Sequence, residues 1–206
     1  DDNQDGLISH AEAEAVDAML LPPSGITDLT GLEAFINLES LTITLNPLGR
    51  IDLSSNIKLK YLEITYCQLS ELDIYANSML EALNCGRNKL SELDLLGNEA
   101  LQTLICNNNE LTHLDLSPIS SLTTMISCGN QLSYLDISMH PGLTRIGVDN
   151  MPMLTRVCVW TLPFPPEGFD LNMEGSPNVF FTTDCDDIIP PVVYITDKYL
   201  YQPAKI

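Results

Sequence analysis

The stretch LEALNCGRNKL, Leu80 to Leu90, decides the fold, because its spacing recurs along most of the chain. Leu38, Leu59, Leu80, Leu101, Leu122 and Leu143 stand 21 residues apart. Leu41, Leu62, Leu83, Leu104, Met125 and Ile146 keep the same step, and so do Ile43, Ile64, Cys85, Cys106, Ser127 and Val148. A fixed period of this size marks a solenoid, in which each coil buries its apolar edge only against its neighbours.

LEALNCGRNKL fits the pattern L-x-x-L-x-L-x-x-N-x-L, with Cys85 in one leucine slot. LQTLICNNNEL (Leu101 to Leu111) and LTTMISCGNQL (Leu122 to Leu132) fit nearly as well. The chain therefore resembles leucine-rich-repeat proteins of the short-repeat, secreted bacterial kind, over about Ile26 to Val159. The resemblance implies a right-handed, β-rich leucine-rich-repeat solenoid of about six 21-residue coils. It also implies recognition of a protein partner through the strand-lined face. The expected division is an N-terminal cap over 1–37, repeats over 38–159, and an irregular C-terminal cap and tail over 160–206.

Each repeat has two halves, since Leu90-x-x-Leu93-x-Leu95-x-x-Asn98 echoes Leu80-x-x-Leu83-x-Cys85-x-x-Asn88. Alternation within each half predicts one short strand per half. Two asparagine rows, Asn46, Asn88, Asn109 and Asn130, and Asn56, Asn77 and Asn98, fall at corners. There an amide can satisfy backbone groups that lack a ladder partner. Cys67 takes the asparagine slot of its repeat and Met151 that of the last.

At the N terminus, AEAEAVDAML (Ala11 to Leu20) predicts a capping helix ended by Pro22 and Pro23. After Val159, Trp160, Phe164, Phe169, Phe180 and Phe181 among Pro163, Pro165 and Pro166 predict a plug over the open core. Cys85 and Cys106 share a ladder row and read as buried apolar residues. Cys158 and Cys185 could pair, although connectivity is not legible in sequence.

The first residues, Asp1 to Glu12, resemble an EF-hand calcium loop. Asp1, Asn3 and Asp5, the Leu7 carbonyl and Glu12 match ligand positions for one Ca²⁺, Gly6 supplies the sharp turn and Ser9 could hold a water. The expected role is structural. The alternative is an acidic turn capping the helix that begins near Ser9.

Formal charge is −19, from 9 basic and 28 acidic residues, which weighs against nucleic acid or anionic membrane as partner. No apolar run approaches a spanning helix and no signal peptide is present. The chain opens inside a motif, which implies a piece of a longer precursor. A secreted or surface-displayed monomer that inserts into no membrane is expected.

Two outward surfaces compete for function. An aspartate row, Asp52, Asp73, Asp94, Asp115 and Asp136, repeats with the period. It reads either as local backbone caps or as a cation-binding edge. The face between the strand leucines is varied and carries Tyr61, Glu63, Asn84, Thr103, Ile105, Thr124, Ile126 and Arg145. Ile105 and Ile126 are expected there as exposed apolar anchors, with Tyr66 nearby. His10, His113 and His140 are scattered and no nucleophile or phosphate-loop motif occurs, so no enzyme is expected. The rival readings are a calcium-stiffened surface spacer and a glycan-binding module.

Overall fold

The structure is a computed structural model and describes residues 8–185. Asp1, Asn3, Asp5 and Leu7 of the calcium-loop reading, and the tail from Asp186 to Ile206, lie outside the described residues.

The repeat forms a parallel β-solenoid. Strands β1 (Ala18–Leu21), β2 (Ser40–Thr44), β3 (Tyr61–Thr65), β4 (Ala82–Asn84), β5 (Thr103–Ile105) and β6 (Thr124–Ile126) pair in that order. They are followed in the sheet by β8 (Arg145–Gly147) and β10 (Asp170–Asn172). The register places Leu41, Leu62, Leu83, Leu104, Met125 and Ile146 side by side. All six are buried, with at most 1% of their surface exposed. Strands β2 to β6 bury only their alternate residues, which is why short Leu-x-Leu segments suffice: the neighbouring coil completes both the ladder and the core.

The sheet has eight strands rather than six because the solenoid runs past both ends of the leucine lattice. At the N terminus the helix expected over Ala11 to Leu20 is cut to α1 (His10–Glu14), and β1 follows it. An isolated helix this short is marginal in water whatever its alanine content. The open edge of β2 offers competing ladder bonds, and Met19 and Leu21 gain burial against the first coil. The part that persists is capped: Ser9 Oγ accepts from Glu12 N, and Glu12 Oε2 accepts from Ser9 N.

At the C terminus the region expected to be irregular carries β10 and β11 (Phe180–Thr182), just after β9 (Arg156–Cys158) at the end of the repeats. Strand β7 (Tyr134–Asp136), β9 and β11 form a second parallel sheet. The aromatic plug is present within this extension. Phe164 lies 5.5 Å from Trp160, 5.0 Å from Phe169 and 4.7 Å from Phe181, ring centre to ring centre. Cys158 and Cys185 are joined in a disulfide that ties the final segment to β9.

In the earlier coils the second half-repeat is not a strand. Leu72 and Ile74, Leu93 and Leu95, and Leu114 and Leu116 are buried there without a regular ladder. Cross-coil backbone bonds such as Glu110 N to Leu90 O remain at 2.8 Å. Alternation reported inward-pointing side chains, and these do not require continuous backbone pairing.

Asparagine amides hold the corners. Asn88 Oδ1 accepts from Cys67 N and Leu69 N, while its Nδ2 donates to Ile64 O and Cys85 O. Asn109 and Asn130 repeat the arrangement one and two coils on, and Asn46 does so for Ser24 and Ile26. Cys67, in the same slot, donates its thiol to Thr65 O and Ile43 O instead. In the second row, Asn56, Asn77 and Asn98 each donate to two carbonyls of the preceding coil. Their Oδ1 atoms are buried without a partner.

Replacing Asn88 by alanine strips two buried N–H groups and two buried carbonyls of their partner, and is expected to cost about 2–5 kcal/mol. Leu104→Ala is expected to cost about 2–5 kcal/mol and Thr103→Ala less than about 0.5 kcal/mol. Denaturant melts check all three; equal losses at Leu104 and Thr103 would reverse the inward and outward assignments.

Candidate functional site

The ladder assembles the varied face from the register upward. Tyr61, Ala82, Thr103, Thr124 and Arg145 form one row, and Glu63, Asn84, Ile105, Ile126 and Gly147 the next. All eight residues proposed from sequence therefore fall in two adjacent rows across five strands. At one end the Tyr61 hydroxyl donates to Glu63 Oε2 at 2.8 Å, and Lys60 pairs with Glu39. Burial, then the Glu63 bond, raises the Tyr61 pKa above its usual value. At the far end Arg145 Nε contacts Asp170 Oδ2 at 3.1 Å, clamping β8 to β10.

Ile105 and Ile126 are half-buried rather than exposed. They are register partners, and the Ile126 side chain lies over Gly147, where an added Cβ would sit 3.3 Å from Ile126 Cγ2. Each shields the other because a parallel ladder brings matching residues to about 5 Å. The apolar centre of the face is a low shared ridge.

The aspartate row is a set of local caps. Oδ1 of Asp52, Asp73, Asp94, Asp115 and Asp136 accepts from the N–H two residues on, at Ser54, Tyr75, Leu96, Ser117 and Ser138. Asp28 adds a further member through Thr30. The turn at each position uses the carboxylate to satisfy a backbone donor. Three of these groups titrate below the ordinary carboxylate range. The Thr30 hydroxyl and N–H lower Asp28, the Ser54 side chain and N–H lower Asp52, and the Ser117 N–H and side chain lower Asp115.

The ends of the strands carry a feature that sequence reasoning missed. Leu45, Tyr66, Arg87, Asn108, Gly129, Asn150 and Gly175 all have left-handed backbone, with φ between 53° and 77°. In this conformation Arg87 N donates to Asn107 O, Asn108 N to Cys128 O and Gly129 N to Asp149 O. The left-handed turn thus extends the ladder by one bond, and it recurs after each strand of the main sheet from β2 to β10. Asparagine and glycine accept it readily, whereas leucine, tyrosine and arginine do so at a cost of about 1–2 kcal/mol each. The alternation of Asn and Gly at 108, 129 and 150 was the available signal.

The candidate chemical groups are dispersed. His113 and His10 are exposed. His140 is 2% exposed, not a surface residue: it stands in the second asparagine row, two coils beyond Asn98, with Nε2 on Leu116 O. Cys85 and Cys106 are fully buried; burial pushes Cys85 up to about 12 and Cys106 well up too, so neither is a nucleophile at neutral pH. Asp136, Cys158 and Cys185 approach one another, but the two sulfurs are bonded together. Of the five expected calcium ligands only Glu12 is described, and its Oε2 also accepts from Ser9 Oγ. Among the described residues no helix is long and apolar enough to cross a membrane.

The fold is that of leucine-rich-repeat proteins. Similar solved structures include the functional domain of InlJ from Listeria monocytogenes, which includes a cysteine ladder. It matches with TM-score 0.57 and 22% identity over 82% of this chain and 46% of that one. Internalin C2 from Listeria monocytogenes matches with TM-score 0.56 and 20% identity over 85% of this chain and 84% of that one. YopM, a leucine-rich effector protein from Yersinia pestis, matches with TM-score 0.60 and 24% identity over 81% and 47%. The chain thus spans about half the length of InlJ's domain and of YopM. No protein-family model matches the sequence, and no curated protein matches it.

The aspartate caps give a pH signature. A depressed carboxylate stabilises the fold above its unfolded pKa, and that contribution disappears as pH falls through the folded value. Asn at 28, 52 and 115 can keep the turn bond but does not titrate. The thermal advantage of the native chain over this triple variant is expected at pH about 5 and above; it should shrink as pH falls below about 4 and vanish only below the depressed folded values. A difference independent of pH would refute the assignment.

Proposed function

We propose that this chain is a non-enzymatic recognition module, secreted or displayed at a cell surface, that binds a protein partner across the Tyr61–Arg145 strand face. One observation carries the reading. Inward rows stay buried and almost wholly apolar, two of them nearly all leucine, whereas the two outward rows run Tyr-Ala-Thr-Thr-Arg and Glu-Asn-Ile-Ile-Gly, mixing charged, polar, aromatic and aliphatic residues. Repetition is what a solenoid core requires. Variety at solvent-facing positions serves a particular partner, with a partly apolar centre at Ile105 and Ile126 and polar residues at both ends.

The test pairs two surfaces. A partner captured by the wild-type chain should be lost with Ile105→Glu/Ile126→Glu and retained with Asp94→Lys/Asp115→Lys, provided both variants melt as folded proteins. Thr124→Arg, in the outer row beside Arg145, supplies a second variant on this face. Loss confined to the aspartate pair would assign binding to the opposite surface.

We propose in addition that Asp1, Asn3, Asp5, the Leu7 carbonyl and Glu12 bind one structural Ca²⁺. Glu12 heads α1, where an EF-hand-like loop would deliver its last ligand. Calorimetric titration should show calcium heat that magnesium does not reproduce and that Glu12→Gln abolishes. Gln can keep the capping bond to Ser9, so the variant isolates the charge. Absence of heat at millimolar calcium (a level at which even weak extracellular sites, Kd about 10⁻⁴–10⁻³ M, fill), or unchanged binding in Glu12→Gln, removes the calcium site.

A further inference from the structure

The left-handed corner is imposed by the ladder, and half of the solenoid shows which residues suit it. At Asn108, Gly129, Asn150 and Gly175, asparagine alternates with glycine. The alternation is also a packing solution. An added Cβ at Gly129 would sit 2.6 Å from Asn108 Oδ1, and one at Gly175 would sit 2.8 Å from Asn150 Oδ1. Each asparagine amide leans over the glycine of the next coil.

The first three corners abandon this solution. Leu45, Tyr66 and Arg87 occupy the same left-handed positions at φ 55°, 56° and 59°. These residue types disfavour that conformation, and burial does not explain them: Leu45 is 54% exposed and Tyr66 45%, and Arg87 is exposed as well. The Arg87 guanidinium lies over the Tyr66 ring, 5.0 Å from its centre. Backbone strain that persists at solvent-facing side chains marks positions whose side chains do something other than stabilise the fold.

Their chemistry is unlike the rest of the surface. Arg87 and Lys89 are exposed cations on this rim in a chain of net charge −19. Arg87 and Lys89 make no ion pair with any described residue, although Arg87 is held in place by the tyrosine beneath it. Successive corners stand about 5 Å apart. The three side chains therefore form a short rail along the ends of β2, β3 and β4: apolar, then aromatic, then cationic.

We infer that the Leu45–Tyr66–Arg87 rail is the docking subsite for an extended acidic segment of the protein partner, with a carboxylate on Arg87 and an adjacent apolar side chain on Leu45 and Tyr66. The inference rests on the strand-face reading above and names the chemistry of what that face meets at its rim. A carboxylate supplies what Arg87 and Lys89 lack among the described residues, and guanidinium matches it in a two-pronged geometry. A sugar ring would need an open aromatic face, and one face of Tyr66 is covered by Arg87.

The decisive variant is Tyr66→Asn/Arg87→Gly, which rebuilds at these corners the Asn108–Gly129 pair found two coils on. The probe is an array of short peptides carrying Asp or Glu next to Leu, Phe or Trp, against the same array with Asn or Gln. The wild-type chain is expected to prefer the acidic set by about tenfold, a preference that falls as salt is raised. The double variant is expected to lose the preference while its thermal midpoint stays level or rises. Equal binding of acidic and amide peptides, unchanged preference in the double variant, or a lowered midpoint each overturns the inference; the last would mean that Tyr66 and Arg87 are kept for packing. A partner that needs Ile105 and Ile126 but binds the double variant normally would leave the strand-face reading standing and sink this one alone.

Discussion

A coil that closes on itself in 21 residues must leave backbone N–H and C=O groups inside with no strand to bond them. The buried asparagine amide resolves this, and the rest of the structure depends on it. One side chain offers two donors and an acceptor with two lone pairs, so Asn88 ties Ile64, Cys67 and Leu69 of one coil to Cys85 of the next. No other neutral side chain of this size does both. The leucine core alone would hold coils together without fixing how they stack. With the amides in place the coils stack at a constant offset, and the outward residues of successive strands come into line.

That alignment is what makes a recognition surface from short segments. Three-residue strands such as Thr103–Ile105 are too brief to hold a site on their own. Eight strands in one sheet, five of them three residues long, present straight rows whose spacing is set by backbone hydrogen bonds rather than by the side chains displayed. The side chains are then released from structural duty, except at the corners. There the ladder demands left-handed backbone, and a residue choice such as Tyr66 works against the fold. The division between monotonous and varied positions is therefore a division between residues answering to the neighbouring coil and residues answering to something outside.

The departures from expectation share a cause. Ala11 to Leu20 has the composition of a helix, yet its second half becomes β1, because the open edge of β2 is available only once the solenoid exists. Alternation over Leu90 to Leu95 reported burial correctly but overstated strand pairing, since two inward leucines need no continuous ladder. Ile105 and Ile126 point outward as expected, yet each is half-covered by the other and by its neighbours across the sheet. His140 looks like a stray histidine until it is placed two coils beyond Asn98, where its ring replaces an amide as donor.

The sequence by itself determined the period, the identity of the inward rows, the two asparagine rows and the eight outward residues that end as neighbours. All of these follow from a 21-residue recurrence, and recurrence is visible without coordinates. Only the tertiary structure decided where the solenoid stops, which half-repeats pair as strands, how far Ile105 and Ile126 are exposed, and that Leu45, Tyr66 and Arg87 sit in left-handed backbone. Each of those depends on contacts between coils and on φ angles forced by the next coil's carbonyls. A sequence read one residue at a time carries no record of the neighbour that will bond to it.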